Sequence, residues 1–370
     1  MTAPHQPSVL ERAEALYDLG RPEQAAALAG QHLAEHPDDA AALALLARCL
    51  RRAGRPAEAL GYADQALRAD PELPSAWLLR AELLSNARHF GPAEDSARRG
   101  LALIPQHWAG YHVLSSVLLA SGQRARHPEA YAHALRAVEL GPEEDTTHFQ
   151  VGLAAYHLKD HATAQRAYEQ ALRLNPENSE AHNNLSLLHL RRRWLRPGAW
   201  TKAASGFVDS AALDTEDRAA RYNLETMAWG AAAGARWVAL AGFLTAAVGS
   251  APLRSGATGS GPLVAELVGV GVLVALWTAW ALWTLRRVPP RLRRPLLLIA
   301  RGCPPVLWMG GAVALLGLHS VLTLALPRAG AELVGGLGTP LFWAVVITYW
   351  ASRTALTRRA PHRRRAAPGP

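Results

Sequence analysis

The first half of the chain alternates short amphipathic segments with turns, and small residues recur in it at a fixed spacing. An alanine and a proline 12 residues after it reappear every 34 residues, except for one step of 37 between the third and fourth copies. A period of 34 is typical of stacked helical hairpins, in which a small residue lets the two helices cross closely and a proline ends the second one. The series are Ala25, Ala59, Ala93, Ala130 and Ala164, and Pro37, Pro71, Pro105, Pro142 and Pro176.

The turn between the two helices of each hairpin has its own marker residue. Gly20, Gly54 and Gly122 keep the unbroken 34-residue step, and Arg88 takes the third place. The three extra residues therefore lie between Gly122 and Ala130, in a turn. An insertion confined to a turn leaves both flanking helices in register.

The spacing of these alanine, proline and turn residues resembles that of the tetratricopeptide repeat. Trp77, Gly152 and Tyr168 also stand at positions where that family often has the same type of residue. Arg80 departs from the family pattern at a usual leucine site. Alanine also replaces the usual aromatic residue of the second helix at Ala29, Ala63 and Ala97. The resemblance implies an all-α superhelical solenoid that binds other proteins rather than an enzyme.

We assign five repeats over residues 6–178, after a disordered start at 1–5. A degenerate sixth repeat at 179–216 and a capping or connecting helix at 217–235 follow, because a terminal repeat loses a neighbour on one face. The five repeats are 6–39, 40–73, 74–107, 108–144 and 145–178.

From residue 236 the amphipathic pattern gives way to long apolar runs. They predict four transmembrane helices at about 236–253, 262–285, 304–327 and 332–352, each near the roughly 20 residues that a bilayer requires. Small residues at four-residue spacing, such as Gly242 with Ala246 and Gly310 with Ala314, favour a packed bundle and leave a homo-oligomer through these helices open. The predicted fold class is an all-α helical-hairpin solenoid followed by a four-helix transmembrane bundle.

The charges support this division. The net charge is +9, yet residues from 231 onward hold 15 Arg against two Glu, so the first 230 residues carry −4. Four spans with the repeats in the cytoplasm place thirteen of those arginines on the inner side, as the positive-inside rule expects. The rule predicts a cytoplasmic N-terminal array and a basic, disordered cytoplasmic tail at 353–370. The abundance of Arg and Ala, with only two Lys, favours a bacterial plasma membrane.

The arginine clusters at 286–301 and 358–365 flank predicted membrane helices. Contact with anionic lipid headgroups explains them, so nucleic acid is disfavoured as a partner. Trp237, Trp308 and Trp350 lie near the inner ends of their spans, the depth at which indole rings anchor a helix.

The sequence offers little evidence of chemistry. Glu266 and His319 are ionisable residues inside predicted spans, which makes them functional candidates by default. An interfacial position for Glu266 and a hydrogen bond from a neutral His319 to a neighbouring helix are the simpler interpretations. Two cysteines exclude a disulfide framework or a four-cysteine zinc site. We predict no enzyme activity, cofactor or metal.

The resemblance also implies a binding groove, because certain positions of the first helix of each repeat face the concave side in this family. The predicted lining runs from basic to apolar and aromatic. It consists of Arg48, Arg51, Arg52, Leu78, Glu82, Asn86, His112, Ser116, Phe149, Leu153, Tyr156, Asn183 and Leu187.

Two hypotheses remain. The chain is an adaptor that docks a partner peptide or helix in the groove at the cytoplasmic face of the membrane. Alternatively, it is a small channel, transporter subunit or membrane enzyme whose bundle is active and whose repeats recruit or regulate.

Overall fold

A computed structural model describes residues 8–191, 198–213, 218–254, 260–326 and 328–360. All regular structure in these ranges is helical. The chain forms two compact units, residues 1–181 and 182–370, which are described separately below. The predicted disordered start at 1–5 and the last ten residues of the predicted tail lie outside the described ranges.

The first unit is a series of helical hairpins. Within each hairpin the two helices pack on each other, and the first helices of the second to fifth hairpins also contact one another in order. A 3-10 helix, Arg124–Arg126, precedes the second helix of the fourth hairpin. The helices are α1 (Val9–Asp18), α2 (Pro22–Glu35), α3 (Ala40–Arg52), α4 (Pro56–Ala69), α5 (Pro74–Asn86), α6 (Phe90–Leu103), α7 (Trp108–Ala120), α8 (His127–Leu140), α9 (Asp145–His157) and α10 (His161–Leu174).

Each hairpin turn contains one residue in the left-handed backbone region. Gly20, Gly54 and Gly122 have φ values of 74°, 76° and 71°. Arg88 and Lys159 occupy the equivalent places at 67° each. A side chain makes this conformation unfavourable, so the turns at Arg88 and Lys159 hold strain that a glycine would relieve.

Alanine forms much of the core where the paired helices cross. Ala25, Ala59 and Ala93 are fully buried, and so are the alanines that replace the family's aromatic residue, Ala29, Ala63 and Ala97. A methyl group at these places allows the helices to approach closely, so the core between them is narrow and leaves no gap where the aromatic ring would be. The last repeat instead buries Tyr168.

The three-residue insertion is held by ion pairs. Arg126 donates from Nη1 and Nη2 to the Glu94 carboxylate at 2.9 and 2.8 Å, and from Nε to Glu129 at 2.9 Å. Arg98 bonds to the same two carboxylates. The longer turn is thereby tied to the second helix of the preceding repeat.

The second unit contains the apolar helices. Four of its helices, α13, α15, α17 and the segment ending in α19, are long and apolar enough to cross a membrane. Helix α13 packs on α15 and α17, and α17 packs on α19. The helices are α12 (Ala199–Leu213), α13 (Arg218–Gly249), α14 (Ala251–Arg254), α15 (Gly261–Arg287), α16 (Pro290–Arg301), α17 (Pro304–Ala325), α18 (Arg328–Gly335) and α19 (Gly338–Arg358), after α11 (Ser179–Arg191), which crosses the boundary between the units.

Two predicted boundaries differ from the structure. The connecting helix predicted at 217–235 and the first span predicted at 236–253 form one helix, α13, because the sequence between Arg218 and Gly249 contains no proline or turn. Likewise, the segment predicted at 332–352 is divided by a turn before Gly338, and α19 continues to Arg358. Residues 353–358 are therefore helical, not disordered, since Leu356 packs against Cys303 and Val306.

Aromatic side chains join α13 to α19. The Trp229 indole donates to Ser352 Oγ at 2.9 Å and lies 5.4 Å from the Tyr349 ring. The Arg236 guanidinium stacks 4.1 Å from the centre of that tyrosine ring. A cation over an aromatic face lowers the cost of placing an arginine beside apolar helices.

Helices α12 and α16 pack beside the first part of α13. Phe207, Leu224 and Leu292 form a common buried cluster from the three helices. Thr201 Oγ1 also donates to the Arg287 carbonyl at 2.7 Å. The arginines of α16 are exposed, so this amphipathic helix has one face on protein and one exposed face.

Candidate functional site

The basic end of the predicted lining lies on α3. The Arg48 and Arg52 guanidinium groups stack over the Tyr17 ring of α1, at 4.5 and 5.2 Å from its centre. Arg52 also donates from Nη1 to the Tyr17 carbonyl at 3.2 Å. Arg48 is half-buried and Arg52 is exposed, so Tyr17 fixes two cations at the surface of the first two repeats.

The third arginine is engaged differently. Arg51 forms an ion pair with Glu82 of α5, in the next repeat. Burial raises the pKa of Glu82 above its usual value, and the positive charges of Arg51 and Arg48 act against that rise. Because Glu82 and Arg51 are paired with each other, both are less available to a ligand than Arg48 and Arg52.

The other two residues predicted on α5 have different surroundings. Leu78 is only 9% exposed and belongs to the core, where its side chain packs beside Gly100. It is not available as a lining residue, because the helix turns that face of α5 onto α6. Asn86 at the end of α5 is exposed.

Polar groups of α7 form the middle of the predicted lining. His112 is half-buried next to the Trp108 ring, 6.1 Å away, and burial lowers its pKa to about 4. Its Nδ1 atom has no hydrogen-bond partner among the described residues. Ser116 is half-buried. The preceding Ser115 is buried instead, donating to the Ala130 carbonyl at 2.8 Å.

The apolar end lies on α9. Phe149 is half-buried and lies 5.7 Å from the buried ring of Tyr168, while Leu153 packs against the core. Tyr156 is half-buried and lies 5.6 Å from the His161 ring. These side chains present only part of their surface, so they offer a shallow apolar strip.

Asn183 and Leu187 belong to the second unit and have partners there. Asn223 of α13 donates to Asn183 Oδ1 at 3.0 Å. Leu187 packs against the cluster around Phe207. The candidate site therefore comprises the residues of the first unit, without Leu78.

His319 and Glu266, the two ionisable candidates of the predicted spans, lie at different levels along their helices. His319 is 5% exposed, and its Nε2 lies 3.1 Å from the Val334 carbonyl of the neighbouring helix α18. Glu266 is half-buried. Gly269 faces Leu324, and Gly317 faces Trp277, so α15 and α17 run antiparallel. This register places Glu266 about nine residues, or roughly 13 Å, further along the axis than His319. The two side chains do not form a pair.

The described residues contain no group of three or more His, Cys, Asp or Glu side chains arranged to hold a metal ion.

Comparisons with known proteins address the first unit. Two tetratricopeptide repeat family profiles match residues 10–74 and 146–178. The chain contains tetratricopeptide repeats. A tetratricopeptide repeat-containing protein of Caenorhabditis elegans, trd-1, is 36% identical over 72 residues, which is 20% of this chain and 9% of the nematode protein. The chain thus matches only a small part of that relative.

Two solved structures align with the repeats. The Cut9–Hcn1 hetero-tetramer of the APC/C aligns with a TM-score of 0.52 at 16% identity, covering 59% of this chain and 42% of that one. A thermophilic tetratricopeptide repeat protein of Thermus thermophilus aligns with a TM-score of 0.43 at 23% identity, covering 48% of this chain and 92% of that one. At such identities the first match shows a tetratricopeptide solenoid fold and nothing about a partner.

Tyr17 is the residue of this site that the sequence prediction missed. It stands twelfth in the first repeat, the same position that Arg51 has in the second. Applying the groove positions to the first repeat as well identifies it.

Proposed function

We propose that the protein is a membrane-anchored adaptor whose tetratricopeptide-repeat unit docks a partner peptide or helix at the cytoplasmic face. The observation that carries this is the row of half-buried and exposed side chains on α3, α5, α7 and α9, in a chain that also has four candidate membrane spans. Repeats of this family are protein-interaction modules, and extended or helical segments suit the face that their first helices form.

The charges suggest the chemistry of the partner. Glu82 forms an ion pair with Arg51, whereas Arg48 and Arg52 stack on an aromatic ring and form no ion pair with any described residue. A partner segment with an acidic residue at one end and apolar side chains at the other would match this site. The acidic residue would face Arg48 and Arg52, and the apolar side chains would face Phe149 and Tyr156. We propose such an acidic-to-apolar segment as the ligand.

The anchor is proposed to place both termini in the cytoplasm of a bacterial plasma membrane. Support comes from the arginine distribution, since the segments that follow α15 and α19 are the basic ones. The arginines of α16 would then contact anionic headgroups.

A cross-linked pull-down from membranes tests the groove. The comparison is between the intact protein, the double variant Arg48→Glu with Arg52→Glu, and the matched control Arg99→Glu, an exposed arginine on α6. We expect a client that is lost from the double variant and kept by the control. Recovery of the same proteins by all three contradicts the groove.

A second experiment separates anchoring from an active bundle. Replacing residues 192–370 with a foreign membrane anchor keeps the first unit and the whole of α11, whereas a cut at 236 would divide α13. Client capture should survive the replacement if the second unit only tethers. Survival of capture with loss of the cellular function would indicate that the bundle is active as well.

A further inference from the structure

A shallow groove of about 650 Å³ lies on the surface of the second unit where α19 meets α17. It is lined by residues of both helices, among them Trp308, Trp343, Ile347, Trp350, Thr354 and Arg358. None of these residues belongs to the partner-docking face.

The walls of this groove are apolar and unoccupied by protein. Trp308, Trp343 and Trp350 are 52%, 54% and 60% exposed, and Ile347 is 64% exposed. Such large apolar side chains stay exposed at little cost only where lipid replaces water. Hydrocarbon chains are the natural neighbours of these walls.

One end of the groove is positively charged. Arg358 lines it, and the Arg353 guanidinium lies 5.7 Å from the centre of the Trp350 ring. In the part of the chain that is described, no carboxylate lies within ion-pair distance of either arginine, whereas Arg359 is 3.7 Å from Glu225. Arg353 also donates from Nη1 to the Tyr349 hydroxyl at 3.5 Å, so Arg358 is the guanidinium at the end of the groove that is open to a ligand. An exposed guanidinium favours a phosphate.

The length of the groove distinguishes between possible occupants. Fifteen residues separate Trp343 from Arg358, or roughly 22 Å along the helix. That is about half of a bilayer 40–45 Å thick including headgroups. A crossing helix needs a surface through both leaflets, whereas a phospholipid occupies one.

We propose that the α17–α19 groove binds one anionic phospholipid of the cytoplasmic leaflet. An acyl chain lies along Trp343, Ile347 and Trp350, and the phosphate lies at Arg358. This proposal rests on the proposed membrane insertion of the second unit. It adds a defined lipid site to the general attraction between arginines and headgroups.

Native mass spectrometry of the full-length protein from detergent tests the site. The probes are dioleoyl-phosphatidylglycerol and dioleoyl-phosphatidylcholine, with glycerol phosphate as a soluble competitor. We expect one tightly held phosphatidylglycerol. Because each arginine near a headgroup contributes about 1 kcal/mol, Arg358→Gln should lower its retention about fivefold. Filling the groove with Ile347→Trp should weaken both lipids.

Two matched controls are Arg99→Gln, an exposed arginine on α6, and Leu267→Trp, an exposed position on α15. Neither should change lipid retention. Equal retention of both lipids, or equal losses in the controls, overturns the proposal, as does full displacement by glycerol phosphate.

Alkaline extraction of cell membranes, run in parallel, reports on insertion alone. Protein that resists extraction but lacks lipid selectivity refutes the lipid site and leaves the anchor intact. Protein that is extracted refutes both.

Discussion

Arg51 of the second repeat and Glu82 of the third form an ion pair across the face that is proposed to dock a partner. Burial nevertheless raises the pKa of Glu82, so the ionised form is disfavoured in the folded protein compared with the unfolded chain. Folding is then favoured below the unfolded pKa of Glu82, and that contribution is lost as the pH rises through its folded pKa.

Glu82→Gln should remove this dependence. We expect the variant to lose less stability than the wild type between pH 4.5 and 7.5, as measured by urea unfolding of the full-length protein in detergent. A steeper loss in the variant would show that the ion pair outweighs burial.

Burial shifts the pKa of His112 in the opposite direction, downward. Its folded pKa of about 4 lies below its usual 6.5, so the neutral ring stabilises the fold above pH 6.5 and that stability is lost as the pH falls toward 4. Between pH 7.5 and 5 the loss should be about 2 kcal/mol. The same titration of His112→Leu checks this, because the variant should lack that part of the acid sensitivity. Identical acid profiles would place the proton on another group.

Arg126 should matter more than an ordinary surface arginine. It bonds to Glu94 and Glu129 within a four-residue network, so Arg126→Ala should destabilise the first unit by about 1 kcal/mol. The control is Arg136→Ala, which breaks an exposed pair with Glu139 within one helix and should change little. The measurement is the urea concentration at the unfolding midpoint of each variant. Equal midpoints for Arg126→Ala and Arg136→Ala would mean that the ion pairs of Arg126 do not hold the insertion in place.

Replacing Lys159, which has a left-handed backbone conformation, with glycine should stabilise the fifth repeat. Lys159 has φ 67°, so Lys159→Gly should raise stability by up to about 1 kcal/mol. Lys159→Ala retains the Cβ and should give no gain. Thermal unfolding of both variants measures the difference, and a gain in the alanine variant would indicate that lysine itself, not its backbone, is unfavourable.

Gly338 is required by close packing at the start of α19. A Cβ there would lie 2.8 Å from Phe243 and 3.2 Å from His319, so Gly338→Ala should destabilise the second unit by about 1–3 kcal/mol. Gly310→Ala is the control, because a Cβ at Gly310 meets nothing within 4 Å. Near-ultraviolet circular dichroism on heating in detergent reports on the packing of the aromatic residues. No difference between the two would mean that α19 can shift to make room.

The repeat period made the first unit predictable, because alanine, proline and turn residues all mark the same step. It was less informative about single side chains. Leu78 follows the groove numbering of the family yet is buried, since the exact rotation of α5 decides which face it shows. Arg80 stands at a usual leucine site because Asp64 and Ser96 receive its guanidinium, at 2.7 and 2.6 Å. Sequence spacing does not reveal such partners.

In the apolar half of the chain, single contacts were again less predictable than the helices. Its apolar runs predicted four helices, but not which small residues lie at contacts. Gly310 was expected to pack and faces open space, whereas Gly317 lies against Trp277. Hydropathy gives the length of a helix, while contacts depend on how the helices rotate against each other.

The continuity of α13 bears on how the sequence can change in evolution. Leu224 packs with the cluster near its beginning, and Ala239 and Ala246 pack between the apolar helices further along. A single inserted residue between them would turn one set by about 100° relative to the other. The turn before α8 absorbs three extra residues without harm, but the length of α13 between these contacts is fixed. Insertions and deletions among relatives should therefore accumulate in the hairpin turns and be absent from this helix.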